Sequence, residues 1–155
     1  MASAIGIGII VAGWLSNDSR APAPLDLRET AAVAPFVGYR ETRIAARKSC
    51  VRVVVADTEA RRGEGLRAVR DPGPYVGMLF VQPAAADIPF TMAGVRDPLD
   101  VVWFADDGSR VGSARMRPCP VRAAAHCPVY RSPRSYRYAL ETPPDTPAPP
   151  QLAPC

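Results

Sequence analysis

The stretch D-V-V-W-F-A-D-D-G-S-R-V-G-S-A-R-M-R (residues 100–117) contains two strand patterns joined by a turn signal. Its run V-V-W-F (residues 101–104) is continuously apolar, which is typical of a strand buried on both faces. The following D-D-G (residues 106–108) is a hairpin turn signal. Residues 110–117 then alternate as in a strand with one face in water. The stretch predicts a β-hairpin whose first strand is central in a sheet.

Other segments carry the same kind of signal. Residues 51–56, 77–81, 90–92 and 136–141 have the alternating or continuously apolar pattern of short strands. Asp57-Thr58 is a helix-start signal, because either side chain can cap free backbone N–H groups. Glycines at positions 63 and 65 predict that this helix is short or broken. The pattern predicts a mainly all-β domain, a compact sandwich, jelly roll or barrel, with one short helix.

Composition divides the chain into four parts. Residues 1–15 are almost entirely apolar, residues 16–48 have the composition of a flexible linker, residues 49–142 carry the strand patterns, and residues 143–155 are proline-rich. The apolar run is shorter than a bilayer span and suits a secretory signal. No basic residue precedes it and no clear cleavage site follows it, so a membrane anchor or a buried N-terminal helix remain alternatives. We expect the domain to lie outside the cytoplasm.

The cysteines agree with export. Four cysteines in a small exported domain indicate disulfides. Cys119 and Cys127 lie in one proline-bounded loop, and a bridge between them would contribute roughly 2–3 kcal/mol. Cys50 and Cys155 are left as a second pair, unless Cys155 is free or bonds another molecule. A metal site at Cys119, His126 and Cys127 is disfavoured because the last two are adjacent, and no cofactor is predicted.

The positive charge is carried almost wholly by arginine. The net charge is +4, and between residues 108 and 140 there are arginines but no Asp or Glu. This stretch is either a solvated surface or an anion-binding face. The candidate anion-binding residues are Arg115, Arg117, Arg122, Arg131, Arg134 and Arg137.

Five short motifs give a family resemblance. They read V-A-D-T (residues 55–58), G-M-L-F-V (77–81), P-L-D (98–100), P-C-x7-C-P-x-Y (118–130) and Y-x-Y-x-L-E (136–141). In this order they resemble a widespread prokaryotic family, domain of unknown function 192. The resemblance implies a compact β-sandwich of jelly-roll type and brings no activity with it.

One segment departs from the family pattern. Where the family has F-W-M-K-N-T, this chain keeps Phe90 and Met92, places Thr91 at the Trp position, and has Ala93-Gly94-Val95 in place of Lys-Asn-Thr. If the family uses those polar residues to bind or react, the resemblance implies that this chain has lost that property.

Three carboxylates at motif positions are the candidates for acid–base chemistry. These are Asp57, Asp100 and Glu141, although a helix cap, a loop contact and an arginine pair are the simpler structural roles for them. There is one histidine and neither a G-x-S-x-G motif nor a phosphate-binding glycine loop.

These observations lead to a functional hypothesis. We expect an exported or membrane-anchored β domain, a non-enzymatic binding or accessory module of the cell envelope, whose partner is an envelope protein or an anionic envelope component. The alternatives are a small envelope enzyme with carboxylates in a cleft, and an arginine-rich polyanion binder. Nucleic acid is a disfavoured partner, because the nearby tyrosines have a strand pattern that predicts packing.

Overall fold

The computed structural model describes residues 23–67, 69–121 and 124–155. The apolar run at residues 1–15 and the start of the expected linker lie outside this part of the chain. Within it, no helix has both the length and the apolar character needed to cross a membrane.

The described chain is mainly β, with one short α-helix, as the sequence predicts. The strands are β1 (Thr30–Ala31), β2 (Arg40–Ala46), β3 (Ser49–Ala56), β4 (Met78–Ala86), β5 (Phe90–Thr91), β6 (Leu99–Phe104), β7 (Arg110–Met116), β8 (Val129–Tyr130) and β9 (Tyr136–Thr142). The helix α1 (Glu59–Glu64) lies between β3 and β4, and a 3-10 turn covers Ala124–His126.

One sheet of seven strands organises the domain, in the order β1-β2-β3-β4-β9-β6-β7. Its neighbours are antiparallel except β3 and β4, which are parallel and are joined by the crossover that contains α1. The predicted hairpin is confirmed, since β6 and β7 pair from Leu99↔Met116 to Phe104↔Arg110. β6 also pairs with β9 and is therefore inside the sheet. The sheet is open and is not a closed barrel, because its two end strands do not pair with each other.

The two faces of the sheet bury two different cores. On β6, Val101 and Trp103 belong to one cluster of buried side chains, and Val102 and Phe104 belong to the other. Since successive side chains of a strand point to opposite faces, the clusters lie on opposite sides of the sheet. We call the side of Trp103 the front face and the side of Phe104 the back face. Both faces are covered, which explains the continuous apolar run.

The small second sheet and the segment after α1 cover the front face. β5 and β8 form a two-stranded sheet, and Phe90 of β5 and Leu66 after α1 are buried in the front cluster. α1 begins where the sequence predicts: the Thr58 side chain accepts a hydrogen bond from the backbone N–H of Arg61. It ends at Gly65, whose φ of 54° suits glycine.

The chain outside the predicted domain contributes to the fold on the back face. Part of the expected linker forms β1 and β2, and Leu27 and Ile44 from this region are buried in the back cluster. The proline-rich tail is extended, and Leu152 within it is only 1% exposed. Scattered apolar residues between prolines gave no periodic signal, yet Leu152 is buried in the back cluster and Ala148 packs against it.

Hydrogen bonds and a disulfide hold the tail in place. Ala45 donates its N–H to the carbonyl of Ala153 (2.8 Å), and Leu152 donates its N–H to that of Gly108 (2.8 Å). Cys155 is bonded to Cys50. The tail therefore runs across the back face from the β6–β7 turn to β2.

Candidate functional site

A cavity of about 440 Å³ opens on the front face, and we call it the Glu141 cavity. Its walls come from α1 and the residues after it, from β4, from the segment that leads into β5, and from β9. The volume lies within the range of small-molecule sites. The apolar part of its lining consists of Leu66, Phe80, Ile88, Pro89, Phe90 and Val95.

The sheet register points Glu141 into this cavity. Glu141 on β9 lies directly opposite Met78 of β4 and Val101 of β6. Directly paired residues share a face of the sheet, and both partners belong to the front cluster. The side chain of Glu141 is only 5% exposed and lines the cavity.

The Glu141 carboxyl has neither a hydrogen bond nor an ion pair within the described residues. Burial raises the pKa of Glu141 to about 8, and the positive charge of Arg67 lowers it only in part. A buried carboxyl without a partner disfavours its charged form. The group therefore exchanges its proton near neutral pH, and perturbed groups of this kind are concentrated at functional sites.

Two further polar groups beside the cavity lack partners in the described structure. They are Oε1 of Gln82, on a side chain that is only 2% exposed, and Oγ1 of Thr91. Both residues line the cavity. The hydroxyl of Tyr136, in contrast, donates a hydrogen bond to the carbonyl of Ile88 (2.8 Å). Buried polar groups are nearly always hydrogen-bonded, so unsatisfied ones at a cavity wall are unusual.

Two arginines and two glutamates also line the cavity. Arg62 is held by the backbone, since its Nη1 donates to the carbonyls of Asp57 (2.7 Å) and Val81 (2.9 Å). The Glu64 carboxylate accepts a hydrogen bond from the hydroxyl of Tyr39. Glu59 and Arg67 make no ion pair within the described residues and are the charges free to respond to a ligand.

The structure does not bring the three predicted carboxylates together. Asp57 pairs with Arg61 through a 2.8 Å contact. Asp100 pairs with Arg115 through two contacts of 2.8 and 3.0 Å, and this pairing holds the pKa of Asp100 below its usual range. Neither residue lines the Glu141 cavity. Asp100 lies opposite Thr142, one position along β9 from Glu141, so the two carboxylates point to opposite faces of the sheet.

The predicted arginine face is only partly free. Arg115 binds Asp100 and Asp145, and the Arg137 guanidinium donates to the carbonyl of Pro83. Arg117, Arg131 and Arg134 are exposed and make no ion pair within the described chain. Arg122 lies outside the described residues. The arginines that do border the Glu141 cavity, Arg62 and Arg67, come from the segment around α1 and had no signal in the sequence.

The Cys119–Cys127 disulfide supports one wall of the cavity. The bridge has an S–S distance of 2.04 Å. The backbone of Cys119 pairs with that of Ala93 and Val95, and Gly94 donates its N–H to the Cys119 carbonyl (2.9 Å). The segment that departs from the family pattern is thus tied to the disulfide loop. Thr91, at the position of the family's Trp, lines the cavity with a small side chain.

The thiols are not available as metal ligands, since both pairs are oxidised. No group of three or more His, Cys, Asp or Glu side chains that could hold a metal ion occurs in the described residues. His126 lies on the exposed 3-10 turn beside Cys127.

Two solved structures share this fold. One is a protein of unknown function from Novosphingobium aromaticivorans DSM 12444, with a TM-score of 0.59 and 19% identity over 74% of this chain and 81% of that chain. The other, from Sinorhizobium meliloti 1021, is described as a candidate transcription regulator, with a TM-score of 0.54 and 23% identity over 68% of this chain and 79% of that chain. At these identities the likeness concerns the fold alone. No curated protein matches this sequence significantly.

A family model described as "uncharacterized ACR" matches residues 41–153. The matched range begins within β2 and extends into the proline-rich tail, so it includes most of β2 and the tail residue Leu152 of the back face. The motif order, the fold and this match agree. The chain belongs to the DUF192 family of uncharacterised proteins.

Proposed function

We propose that the protein is an exported or membrane-anchored binding domain of the cell envelope, which takes up a small ligand in the Glu141 cavity and does not transform it. The observation that carries the proposal is the Glu141 carboxyl, which is buried, lines the cavity and has no partner in the described residues. Burying a polar group without a hydrogen bond costs free energy, and a ligand that hydrogen-bonds this carboxyl would offset that cost.

The disulfides support the location outside the cytoplasm. Both pairs of cysteines are bonded, and each bond fixes a segment that covers one face of the sheet. Structural disulfides persist in oxidising compartments and are rare in the cytosol. The apolar sequence at residues 1–15 provides the export or anchoring signal in this proposal.

We expect the native protein to be recovered from the envelope or secreted fraction with both bridges formed. The measurement is a non-reducing mass-spectrometric map of thiols and disulfides, made separately on each cell fraction. Peptides joined through Cys119–Cys127 and Cys50–Cys155 in the envelope fraction would support export. Free thiols in protein recovered from the cytosol would contradict it.

We expect a screen of small polar–apolar fragments to find binders whose NMR shift changes concentrate on the residues that line the Glu141 cavity. The matched control is Glu141→Gln, which keeps the shape of the side chain and removes its charge and its proton. Fragments bound through the carboxyl should lose roughly tenfold or more in affinity in this variant. Binding confined to other surfaces, unchanged by Glu141→Gln, would contradict the proposal.

A second candidate function is a small enzyme in which Glu141 acts as the acid–base group. The pKa of Glu141, raised by burial to about 8, is close to the value that efficient proton transfer requires near neutral pH. The three-carboxylate arrangement expected from the sequence is not formed, so Glu141 would act without Asp57 and Asp100. Conversion of a bound fragment to a product, abolished by Glu141→Gln with binding retained, would favour this function over simple binding.

A further inference from the structure

We infer that the ligand of the Glu141 cavity is a small organic cation of the ammonium type that carries an apolar body. The inference rests on the proposed binding function and names the chemical class of the ligand. It follows from the charges, the aromatic rings and the apolar walls of the cavity.

The charges around the cavity favour a cation. Its charged lining consists of three carboxylates, those of Glu59, Glu64 and Glu141, and two guanidiniums, those of Arg62 and Arg67. Arg62 is already bound to two backbone carbonyls. The positive charge of Arg67 lowers the pKa of Glu141 only in part, so neither guanidinium neutralises the buried carboxyl. Glu141 is the most buried of these groups, and its ionised form has no compensating charge at hydrogen-bond distance within the part of the chain that the structure describes. An ammonium group at this carboxyl would supply that charge.

Aromatic rings in the wall favour the same class. Phe80 and Phe90 meet edge to face with centroids 5.2 Å apart, and Tyr136 lies 6.1 Å from Phe90. All three residues line the cavity. Ring faces attract cations, and groups of aromatic rings beside a carboxylate are a general means of holding alkylated ammonium groups.

The apolar lining specifies the rest of the ligand. The cavity is also lined by Leu66, Ile88 and Pro89, whose side chains are uncharged and apolar. Ile88 is 46% exposed, a large fraction for an isoleucine side chain at a cavity wall. An alkyl or aryl body would remove this surface from water.

The pH dependence separates a cation from an uncharged ligand. A cation requires the ionised carboxyl, so its affinity should fall roughly tenfold for each pH unit below the pKa of Glu141. An uncharged acceptor would instead use the protonated carboxyl as a donor and bind more tightly at low pH. The other titratable or charged groups facing the cavity are Glu59, Arg62 and Glu64 on α1, Arg67 after it and Tyr136 on β9. Burial raises the pKa of Tyr136 to about 12, so it stays uncharged in the range of interest.

The test uses two cations, each compared with an uncharged analogue of the same shape. The first pair is n-butylammonium and n-butanol. The second is choline and the alcohol in which a tert-butyl group replaces the trimethylammonium group. Affinities are measured by calorimetry on the disulfide-bonded protein at about pH 9 and at about pH 6, which lie on either side of the pKa of Glu141.

We expect at least one cation to bind roughly tenfold or more tightly than its analogue at the higher pH, and to lose that advantage at the lower pH. Glu141→Gln should remove the discrimination at both pH values. The matched control is Asp106→Asn, an equal change of charge in the β6–β7 turn, outside the cavity, and it should retain the discrimination.

Three results would overturn the inference, and they are distinguishable. If neither cation binds better than its analogue while uncharged or anionic fragments occupy the cavity, the cation assignment is wrong and the binding function stands. If the fragment screen and both cations fail to reach the cavity, the binding function is wrong as well. Cation binding that persists in Glu141→Gln would also contradict the inference, because the carboxyl would not be the recognition group.

Discussion

Glu141→Gln is expected to raise the free energy of unfolding by up to about 5 kcal/mol at about pH 9, and to leave it nearly unchanged at about pH 4. In the wild-type protein, burial raises the pKa of Glu141 from 4.5 to about 8. The folded state therefore favours the protonated carboxyl. A glutamine has the same shape and no proton to lose, so it avoids the cost of a buried negative charge.

The direction of this change in stability follows from the protons bound in the folded and unfolded states. Below about pH 4.5, Glu141 is protonated whether the chain is folded or unfolded, and the carboxyl contributes its full stability. Between that pH and about 8 the unfolded chain has released the proton and the folded chain retains it. Stability is lost through this window as the pH rises, and the loss is complete once the folded protein ionises.

Glu41→Gln is the control, and its expected change in the free energy of unfolding has the opposite sign. Glu41 is also buried, but its carboxylate accepts two hydrogen bonds from Arg52 (3.1 and 2.6 Å), which hold the pKa of Glu41 below its usual value. This substitution should lower stability at neutral and alkaline pH. Urea unfolding of both variants and the wild type, followed by Trp fluorescence across the pH range, measures the two effects. A Glu141→Gln variant that is destabilised at about pH 9 would show that the carboxyl has a stabilising partner.

Removing the Cys50–Cys155 bridge is expected to lower the free energy of unfolding by about 5 kcal/mol. The bond joins residues separated by 105 positions, and closing so long a loop strongly restricts the unfolded chain. Both cysteines are exposed, so the Cys50→Ser, Cys155→Ser double variant removes no core side chain. The change in stability therefore reports the bridge and the attachment of the tail.

The shorter bridge provides the comparison. Cys119 and Cys127 are separated by 8 positions, and in the same chain-entropy model their bond contributes about 2.5 kcal/mol. Denaturant unfolding under non-reducing conditions should therefore show a larger loss of stability for the Cys50→Ser, Cys155→Ser variant than for a Cys119→Ser, Cys127→Ser variant. Amide hydrogen exchange should show loss of protection at Leu152 and Cys155 only when the Cys50–Cys155 bridge is absent. A loss below about 1 kcal/mol would mean that the tail is held without the bridge.

Local sequence patterns determined the strands and the helix of this protein. Alternation and apolar runs predicted β3, β6, β7 and β9 within a few residues. Side chains of any strand point to alternate faces of its sheet, so this pattern can be recognised from residues close in sequence. The turn at residues 106–108 and the short helix after Thr58 have equally local causes. The motif order was sufficient to identify the family.

The sequence could not determine which strands become neighbours. β9 (Tyr136–Thr142) is inserted between β4 and β6, although it follows both of them in the chain and is separated from β6 by β7 and β8. This insertion places Glu141 opposite Met78 and Val101. The residues that surround the Glu141 carboxyl are distant from it in sequence, so no local pattern around Glu141 predicts its burial.

The environments of the charged residues were therefore decided by tertiary structure alone. Asp100 and Glu141 both occupy motif positions, yet Asp100 has an arginine partner on the back face. Glu141 is buried on the front face and has no partner among the described residues. The proline-rich tail, whose composition is typical of a disordered or extended segment, lies extended along the back face, because that face offers it an apolar surface and Cys50 offers it a covalent attachment. Strand formation depends on residues close in sequence. The ion pairing of a charged side chain and the burial of a segment depend instead on contacts with residues that are distant in sequence.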